Sequence, residues 1–376
     1  MLRTGTALAG LSAMLLLIAG CGGAGQAESA VSFSPERYAA LVDTLSEPGG
    51  FFDSDNLVSN EAGYLHVKHT LKRLGVEGGV YIGVGPDQNF TYIAQVRPRY
   101  AFILDIRRDN LIEHLLYKAI FALSESRAEF LSILFSKPIS RAGFTDGQPT
   151  IEALVTYFDR TDGDEDLFRR NLERIRAQVR AFEVLSGDRD ARRVSELYRS
   201  FFERHLDLRW EYRSDGDRGI SFITYRKFLL GRDLEGAYGN FLASDEDYRF
   251  IRDMQARNAI IPVTGDFAGG HALKAIGDFV RGREDRISAF YLSNVEYYLQ
   301  PEGRLDEFAA NVRYLPTDGR SVLIRAFVNL RQRAHPLRVE RELMTTVLQY
   351  TRSFSQLFAD GAYRSYLDLG VKNYMQ

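Results

Sequence analysis

The sequence predicts an α/β protein with a doubly wound, mainly parallel sheet and a helical insertion after the second strand. Two observations indicate this class. Short apolar runs that end in glycine or an acidic residue alternate with amphipathic stretches, which is typical of strands alternating with helices. A strand, a glycine turn, a helix and a second strand also follow one another within about 30 residues, and such a unit implies parallel strands.

The first elements lie before and around this unit. A helix is expected after Ser34, with Pro35 in its first position. A second helix is expected over EAGYLHVKHTLKRLG, closed by Gly75. The segment GGVYIGVG then predicts a strand entering a glycine turn. NFTYIAQV predicts a helix that Pro98 ends, and RYAFILDIRR predicts a second strand at 101–104.

Residues 111–255 are predicted to form the helical insertion. The stretch DLFRRNLERIRAQVRAFEVL carries apolar residues at helical spacing on one face. The TDGDED stretch at its start lacks the oxygen spacing of an EF-hand loop. It therefore indicates an acidic helix start, which complements the helix dipole, rather than a calcium site.

Strand patterns resume after the insertion. AIIPV at 259–263 predicts a third strand leading to Asp266, ISAFYL at 287–292 a fourth with a polar tip, and RSVLIRAF a fifth. GGHALKAIGDFVRG and RLDEFAANV predict the helices between them. The last long pattern, VERELMTTVLQYTRSFSQLFADG, predicts one helix that ends at Gly361.

Residues 1–20 have the pattern of an export signal peptide. Arg3 precedes an apolar run that is too short to span a bilayer of about 30 Å as a helix. The residues LIAGC at 17–21 resemble a bacterial lipobox, in which the cysteine is lipidated, and Cys21 is the only cysteine in the chain. An ordinary signal peptide with an incidental cysteine is the alternative.

This pattern predicts an exported lipoprotein. Acyl chains such as palmitate on Cys21 would anchor it to the cell envelope, facing the periplasm or in the outer membrane. Residues 21–33 are small and polar and predict a flexible tether, and 34–376 form the α/β domain. Positive and negative charges are interspersed with a net charge of −2, so nucleic acid is not an expected partner.

Ligands of doubly wound sheets bind beyond the carboxyl ends of the strands. Glycines there let the backbone approach a ligand closely. An acid after the second strand can accept hydrogen bonds from ribose hydroxyls. An acid followed by an aromatic residue suits an adenine, because the carboxylate accepts from the amine and the ring packs on the base. A tight turn without a ligand is the alternative for the two glycines. The candidate ligand-binding residues are Gly83, Gly85, Asp87, Asp105, Asp266, Phe267, Ser293 and Asn294.

The segments YIGVGPD, FILD, VTGDF and FYLSNVEYY resemble the class I S-adenosylmethionine-dependent methyltransferases. The resemblance implies a Rossmann-like fold, S-adenosylmethionine as the cofactor and methyl transfer to an acceptor. The longer segments FFDSDNLVSNE, YIGVGPDQNF, FILDIRRDN and AFYLSNVEYYL resemble a family of uncharacterised bacterial lipoproteins with methyltransferase-like domains.

The sequence departs from the methyltransferase pattern at two positions. Tyr81 stands where the pattern has an acid, and Asp87 stands where it has a third glycine. Asp87 either crowds the pocket or receives the ammonium group of the ligand. S-adenosylmethionine carries no phosphate, so the missing glycine matters less than it would in a dinucleotide site.

Three residues are candidates for catalysis. Asn294, Tyr297 or Glu61 would orient the acceptor, and Glu61 is either a general base or part of a capping box before a helix. His66 and His69 lie three residues apart without the nearby acid of a zinc protease, so no metal is expected.

Three functions stay open at this stage. The first is a methyltransferase, and the second is a non-catalytic envelope lipoprotein that keeps the fold as a ligand-binding or structural module. The second is favoured by location, because S-adenosylmethionine is not expected to be supplied outside the cytoplasm. The third is an envelope hydrolase that uses paired carboxylates among Asp105, Asp87 and Glu61.

Overall fold

A six-stranded sheet forms the centre of the protein in a computed structural model that describes residues 1, 30–140, 149–185, 187–211, 222–330 and 334–376. The strand order is β3-β2-β1-β4-β5-β6, with β6 antiparallel to β5 and every other pair parallel. The predicted α/β class and mainly parallel sheet are confirmed. The strands are β1 (Val80–Gly83), β2 (Tyr100–Asp105), β3 (Ile260–Thr264), β4 (Ile287–Ser293), β5 (Thr317–Val328) and β6 (Met344–Tyr350).

The position of β1 determines where a site can form. The chain runs outward from β1 to β2 and β3, then returns to the other side of β1 to form β4. In open α/β sheets such a reversal of strand order leaves a crevice at the carboxyl ends of the two neighbouring strands. All residues of β1, β2 and β3 are buried, as expected for parallel strands that are covered on both faces.

Fifteen α-helices accompany the sheet within the described ranges. In α1 the Ser34 hydroxyl accepts a hydrogen bond from the backbone N–H of Arg37 at 3.2 Å, so the predicted helix start is confirmed. None of the described helices is long and apolar enough to cross a membrane. The helices are α1 (Pro35–Leu45), α2 (Lys68–Arg73), α3 (Gln88–Val96), α4 (Arg108–Leu123), α5 (Arg127–Phe135), α6 (Ile151–Arg160), α7 (Glu165–Ala181), α8 (Asp188–Arg204), α9 (Tyr225–Leu229), α10 (Asp245–Ala256), α11 (Ala272–Gly282), α12 (Val295–Leu299), α13 (Leu305–Tyr314), α14 (Thr351–Ala359) and α15 (Tyr366–Val371).

The segment between β2 and β3 contains helices α4 to α10. Helix α4 lies against β2 and β3 on one side and against α5, α7, α8 and α10 on the other, and its residues from Asn110 to Phe121 are all buried. The ring of Phe90 in α3 lies 5.4–5.6 Å from the rings of Tyr117, Phe121 and Phe241. Helix α4 is therefore both the crossover helix of the sheet and the centre of the helical segment.

The prediction of one helix over VERELMTTVLQYTRSFSQLFADG is wrong. Met344–Tyr350 forms β6, which pairs with β5 from Val328 to Val322, and only Thr351–Ala359 is helical. The strand contains the β-branched run Thr345, Thr346 and Val347, which favours extended backbone. Six of its seven residues are buried, so the alternating polar face that usually reveals a strand is absent.

The second predicted helix is also shorter than expected. Only Lys68–Arg73 is helical, and the residues from Ala62 to Val67 form turns. Gly75 follows the helix with φ +61°, a conformation that glycine adopts without strain, so the predicted stop at this glycine is confirmed.

Candidate functional site

A cavity of about 170 Å³ lies at the carboxyl ends of the parallel strands, and we call it the tip cavity. Residues that follow β1, β2, β3 and β4 line it, together with the loop at 51–61 and helix α12. It is therefore in the place where doubly wound sheets bind ligands. Six of the eight candidate ligand-binding residues line the tip cavity: Gly85, Asp105, Asp266, Phe267, Ser293 and Asn294.

The two glycines after β1 have different roles. Gly85 lines the tip cavity and has φ +80°, in the left-handed region that favours glycine. Gly83 is not among the lining residues, and a Cβ at this position would overlap Oδ1 of Asn89 and crowd the Tyr81 hydroxyl. The Asn89 Nδ2 lies 2.8–3.1 Å from three carbonyl oxygens of the turn. Gly83 is thus explained by the packing of a tight turn.

Asp87 does not line the tip cavity. It is fully buried, and its Oδ2 accepts a hydrogen bond of 2.6 Å from the Tyr225 hydroxyl of helix α9, while Oδ1 has no partner among the described residues. Burial raises the pKa of this carboxyl to about 7. The side chain joins the glycine turn to the helical segment, so it neither crowds the tip cavity nor lies where it would receive a ligand's ammonium group.

Asp105 reaches the tip cavity but is already paired. Its Oδ1 accepts hydrogen bonds from the backbone N–H (2.8 Å) and Nε (3.1 Å) of Arg107, and its Oδ2 accepts one from Nη2 at 2.9 Å. Both side chains are 5% exposed. A carboxylate oxygen has two acceptor positions. One position on Oδ2 is therefore left for a ligand hydroxyl.

The second candidate carboxylate is also paired with an arginine. Asp266 Oδ2 lies 2.6 Å from Nη1 of Arg304, and its Oδ1 accepts the backbone N–H of Ala268 at 2.9 Å. The ring of Phe267 lines the tip cavity and packs 4.9 Å from the ring of Phe290. The aromatic side chain is thus held in place by the core, and an adenine amine would compete with Arg304 for Asp266.

Glu61 accepts three hydrogen bonds at the tip cavity. Its Oε1 accepts hydrogen bonds of 2.6 Å from the hydroxyls of Tyr291 and Ser293, and its Oε2 accepts one of 3.1 Å from Nε2 of Gln88. The side chain is 1% exposed, and burial raises its pKa while these hydrogen bonds lower it. Because none of the three donors is a cation, Glu61 is a buried acid without a counter-ion among its hydrogen-bond partners.

The capping-box interpretation of Glu61 is wrong. Helix α2 begins at Lys68, and its N-cap, Val67, makes no side-chain capping bond. The backbone N–H of Glu61 instead bonds to the hydroxyl of Ser59 at 3.1 Å. The side chain accepts hydrogen bonds from side chains of β4 and from the side chain of Gln88 in α3, not from the backbone of α2.

The other two catalytic candidates occupy different places. Asn294 lines the tip cavity directly after β4, and its neighbour Ser293 has φ +50°, an uncommon conformation for a residue other than glycine. Tyr297 is not a lining residue, and its ring packs 5.3–5.4 Å from the rings of Tyr298 and Tyr366. Within the described ranges no group of three or more His, Cys, Asp or Glu side chains is arranged to hold a metal ion.

Comparison with known proteins places this fold in a family. Residues 56–372 match the family described as "Domain of unknown function (DUF7790)". The chain belongs to this family. The DUF7790 match runs from the loop before β1 to the end of α15, so the helical segment is part of the family domain. A search of curated proteins found no match.

Within the DUF7790 domain, the sequence patterns missed the partners of the acidic residues. Tyr291 is the fifth residue of β4 and Gln88 the first of α3, and neither stands out beside Glu61 in the sequence. The one available signal is a tyrosine inside a buried strand, because a buried hydroxyl needs a partner. Cys21 lies outside the described residues.

Proposed function

We propose that the tip cavity binds S-adenosylmethionine through its nucleoside part and that the chain transfers the methyl group to an acceptor molecule. The proposal is carried by the convergence of Gly85, Asp105, Asp266 and Phe267 on one cavity at the carboxyl ends of parallel strands. When bound, S-adenosylmethionine supplies an electrophilic methyl group on a sulfonium. The protein's part is to position the reactants and to remove a proton from the acceptor.

The chemistry of the lining supports a nucleoside. Leu104, Ile106 and Phe267 offer apolar surface for a base, and Asp105 has an acceptor position for a ribose hydroxyl. The volume of about 170 Å³ is below the roughly 300–1,000 Å³ of pockets that enclose a drug-sized ligand. The enclosed space therefore suits the base and ribose, and the rest of the ligand extends outward.

Glu61 is the candidate general base. It lines the tip cavity, and three hydrogen bonds from β4 and α3 fix its carboxylate. Burial raises its pKa, which strengthens it as a proton acceptor for a hydroxyl or amine of the acceptor. Asn294 lies beside it at the end of β4 and is positioned to orient the acceptor through its amide group.

One observation favours the second candidate function, a non-catalytic binding or structural module. Arg107 and Arg304 are bonded to the two carboxylates that would recognise the nucleoside. A domain that has lost the cofactor would satisfy its acidic residues internally in this way, because unpaired buried charges are costly.

Export and lipid anchoring are also proposed, on the sequence of residues 1–21 alone. A chain anchored through Cys21 would act at the envelope surface, with the DUF7790 domain carried on the tether.

Isothermal titration calorimetry of the full chain with S-adenosylmethionine and S-adenosylhomocysteine tests the proposal. Val295 lines the tip cavity at the start of α12 and is half-buried, so Val295→Trp should fill the space and weaken binding by at least about tenfold. Val339→Trp is the matched control, because Val339 is 41% exposed in the β5–β6 connection.

Heat of binding from either compound that is lost in Val295→Trp and kept in Val339→Trp supports the nucleoside site. Absence of heat from both compounds with the wild-type chain contradicts the enzyme and favours the non-catalytic module. Undiminished binding to a folded Val295→Trp variant contradicts the placement of the ligand in the tip cavity.

A further inference from the structure

A second and larger cleft lies beside the tip cavity. It has a volume of about 910 Å³ and is bounded by the loop at 49–55 and by the first turns of helices α4 and α8. Phe51, Phe52 and Arg107 line both spaces, so the two are neighbours with a shared wall. We call it the arginine cleft, because its lining includes Arg107, Arg108, Arg189, Arg192 and Arg193.

The four carboxylates that line the arginine cleft are all bound by two of these arginines. Arg108 pairs with Asp190 at 2.6 Å. Arg193 lies 2.9–3.0 Å from three carboxylates, those of Asp55, Asp109 and Glu196. The carboxylates of the cleft therefore pair with Arg108 and Arg193, and the other arginines of the lining form no ion pair with them.

Arg189 and Arg192 have no ion pair among the described residues. Both are exposed on the first turns of helix α8 and line the arginine cleft. Exposed arginines are common on protein surfaces, but these two stand in a concave space beside a candidate ligand cavity. Their guanidinium N–H donors are therefore available to a ligand, in a cleft whose lining carries five arginines and four carboxylates.

Arg107 adds unused hydrogen-bond donors at the wall between the two spaces. A guanidinium has five N–H donors. Two of them bond to Asp105 and one bonds to the carbonyl oxygen of Asp55, which leaves two without an acceptor among the described residues. The side chain is only 5% exposed, so it is a largely buried cation with spare donors.

Two helix starts also lie at the arginine cleft, and their first turns carry Asp109 in α4 and Asp188 and Asp190 in α8, which offset part of the positive charge of the helix ends. Helices α4 and α8, of 16 and 17 residues, both begin at the arginine cleft, and neither has a side-chain cap on its first N–H groups. Unsatisfied N–H groups at a helix start carry partial positive charge and favour anions nearby.

We propose that the arginine cleft binds an oxyanion, a phosphate or carboxylate group, of the molecule that receives the methyl group. The assignment of this anion to the methyl acceptor rests on the proposed function, whereas the anion site itself does not. Guanidinium groups bind phosphate and carboxylate with paired N–H donors, and Arg189 and Arg192 supply that chemistry in addition to charge. With its anion there, the acceptor extends past Phe51 and Phe52 toward the tip cavity.

The test is a titration of the full chain with inorganic phosphate, and separately with acetate, followed by calorimetry at low ionic strength. The double variant Arg189→Gln/Arg192→Gln should bind the preferred anion at least about tenfold more weakly, since each hydrogen bond to a charged group contributes substantially to affinity. The control is Arg170→Gln/Arg174→Gln, which removes the same charge from exposed positions of helix α7 outside the cleft.

Binding that is lost in the cleft variant and kept in the control supports the site, and the anion that binds more tightly identifies phosphate or carboxylate as the group. Absence of binding to the wild-type chain, or equal loss in both variants, overturns it. S-adenosylhomocysteine binding is measured on the same proteins and reports on the proposed function alone. Phosphate or acetate binding without S-adenosylhomocysteine binding keeps the anion site and rejects its assignment to a methyl acceptor.

Discussion

Replacement of Asp87 by asparagine should change how the free energy of unfolding depends on pH. The carboxyl is fully buried with one hydrogen-bond donor, Tyr225, and burial raises its pKa from 3.8 to about 7. Between these values the folded state binds more protons than the unfolded state. The contribution of this pKa shift to the free energy of unfolding is therefore fully present below about pH 4, and it is lost as the pH rises through 7.

The size of the effect follows from the pKa shift. One pKa unit corresponds to about 1.36 kcal/mol, so the full shift corresponds to roughly 4 kcal/mol. Integration of the linkage relation shows that about 2.6 kcal/mol of this contribution is lost between pH 5 and pH 8. Asparagine does not titrate, so the stability of Asp87→Asn relative to the wild type should rise by roughly 2–3 kcal/mol from pH 5 to pH 8.

The assay is urea denaturation of both proteins at several pH values in this range. The buried Glu113 is present in both proteins, and the charge of Asp87 helps to raise its pKa, so the difference reports Asp87 together with its coupling to Glu113. Asp253→Asn, on the exposed side of helix α10, is the control and should change stability by less than about 0.5 kcal/mol at every pH. A difference between Asp87→Asn and the wild type that stays constant from pH 5 to pH 8 would refute the burial argument.

Two further predictions concern the turn and the anchor. Gly83→Ala should lower the free energy of unfolding by about 1–3 kcal/mol in urea denaturation, because the new Cβ overlaps Asn89. Gly270→Ala is the control and should be nearly neutral, because its new Cβ meets nothing within 4 Å. Equal stability of the two variants would contradict the tight-turn explanation. Cys21→Ser should abolish labelling with a radioactive fatty acid and release the chain from membranes on fractionation, and unchanged fractionation would contradict the lipoprotein prediction.

Five of the six strands and the position of the candidate cavity could be predicted because their signals are local. Four apolar runs ended in small or acidic residues, and parallel strands bring their carboxyl ends to one edge of the sheet. Asp105 and Asp266 therefore line one cavity although they lie 161 residues apart in the chain. Strand β6 could not be found in this way, since burial of nearly all its residues removes the alternating pattern.

The partners of the candidate residues could not be predicted, because they come from distant parts of the chain. Glu61 bonds to Tyr291, and Asp87 bonds to Tyr225 of the helical segment. The pairing of Asp105 with Arg107 is local, but the sequence alone does not distinguish an arginine that folds back on the acid from one that points to solvent. Tertiary packing decides these contacts. The contacts in turn determine which candidate residues line the tip cavity and which, like Asp87, are buried outside it.

The two carboxylates Asp105 and Glu61 line one cavity with different surroundings, and on this difference the proposed function gives each a separate role. Asp105 carries its own counter-ion, since Arg107 offsets the cost of burying its charge and holds it in one orientation. A carboxylate fixed in this way suits recognition of a ligand hydroxyl. Glu61 receives only neutral donors, and burial raises its pKa. Under the proposed function, proton transfer is therefore assigned to Glu61, whose raised pKa suits a proton acceptor, and ligand recognition to Asp105.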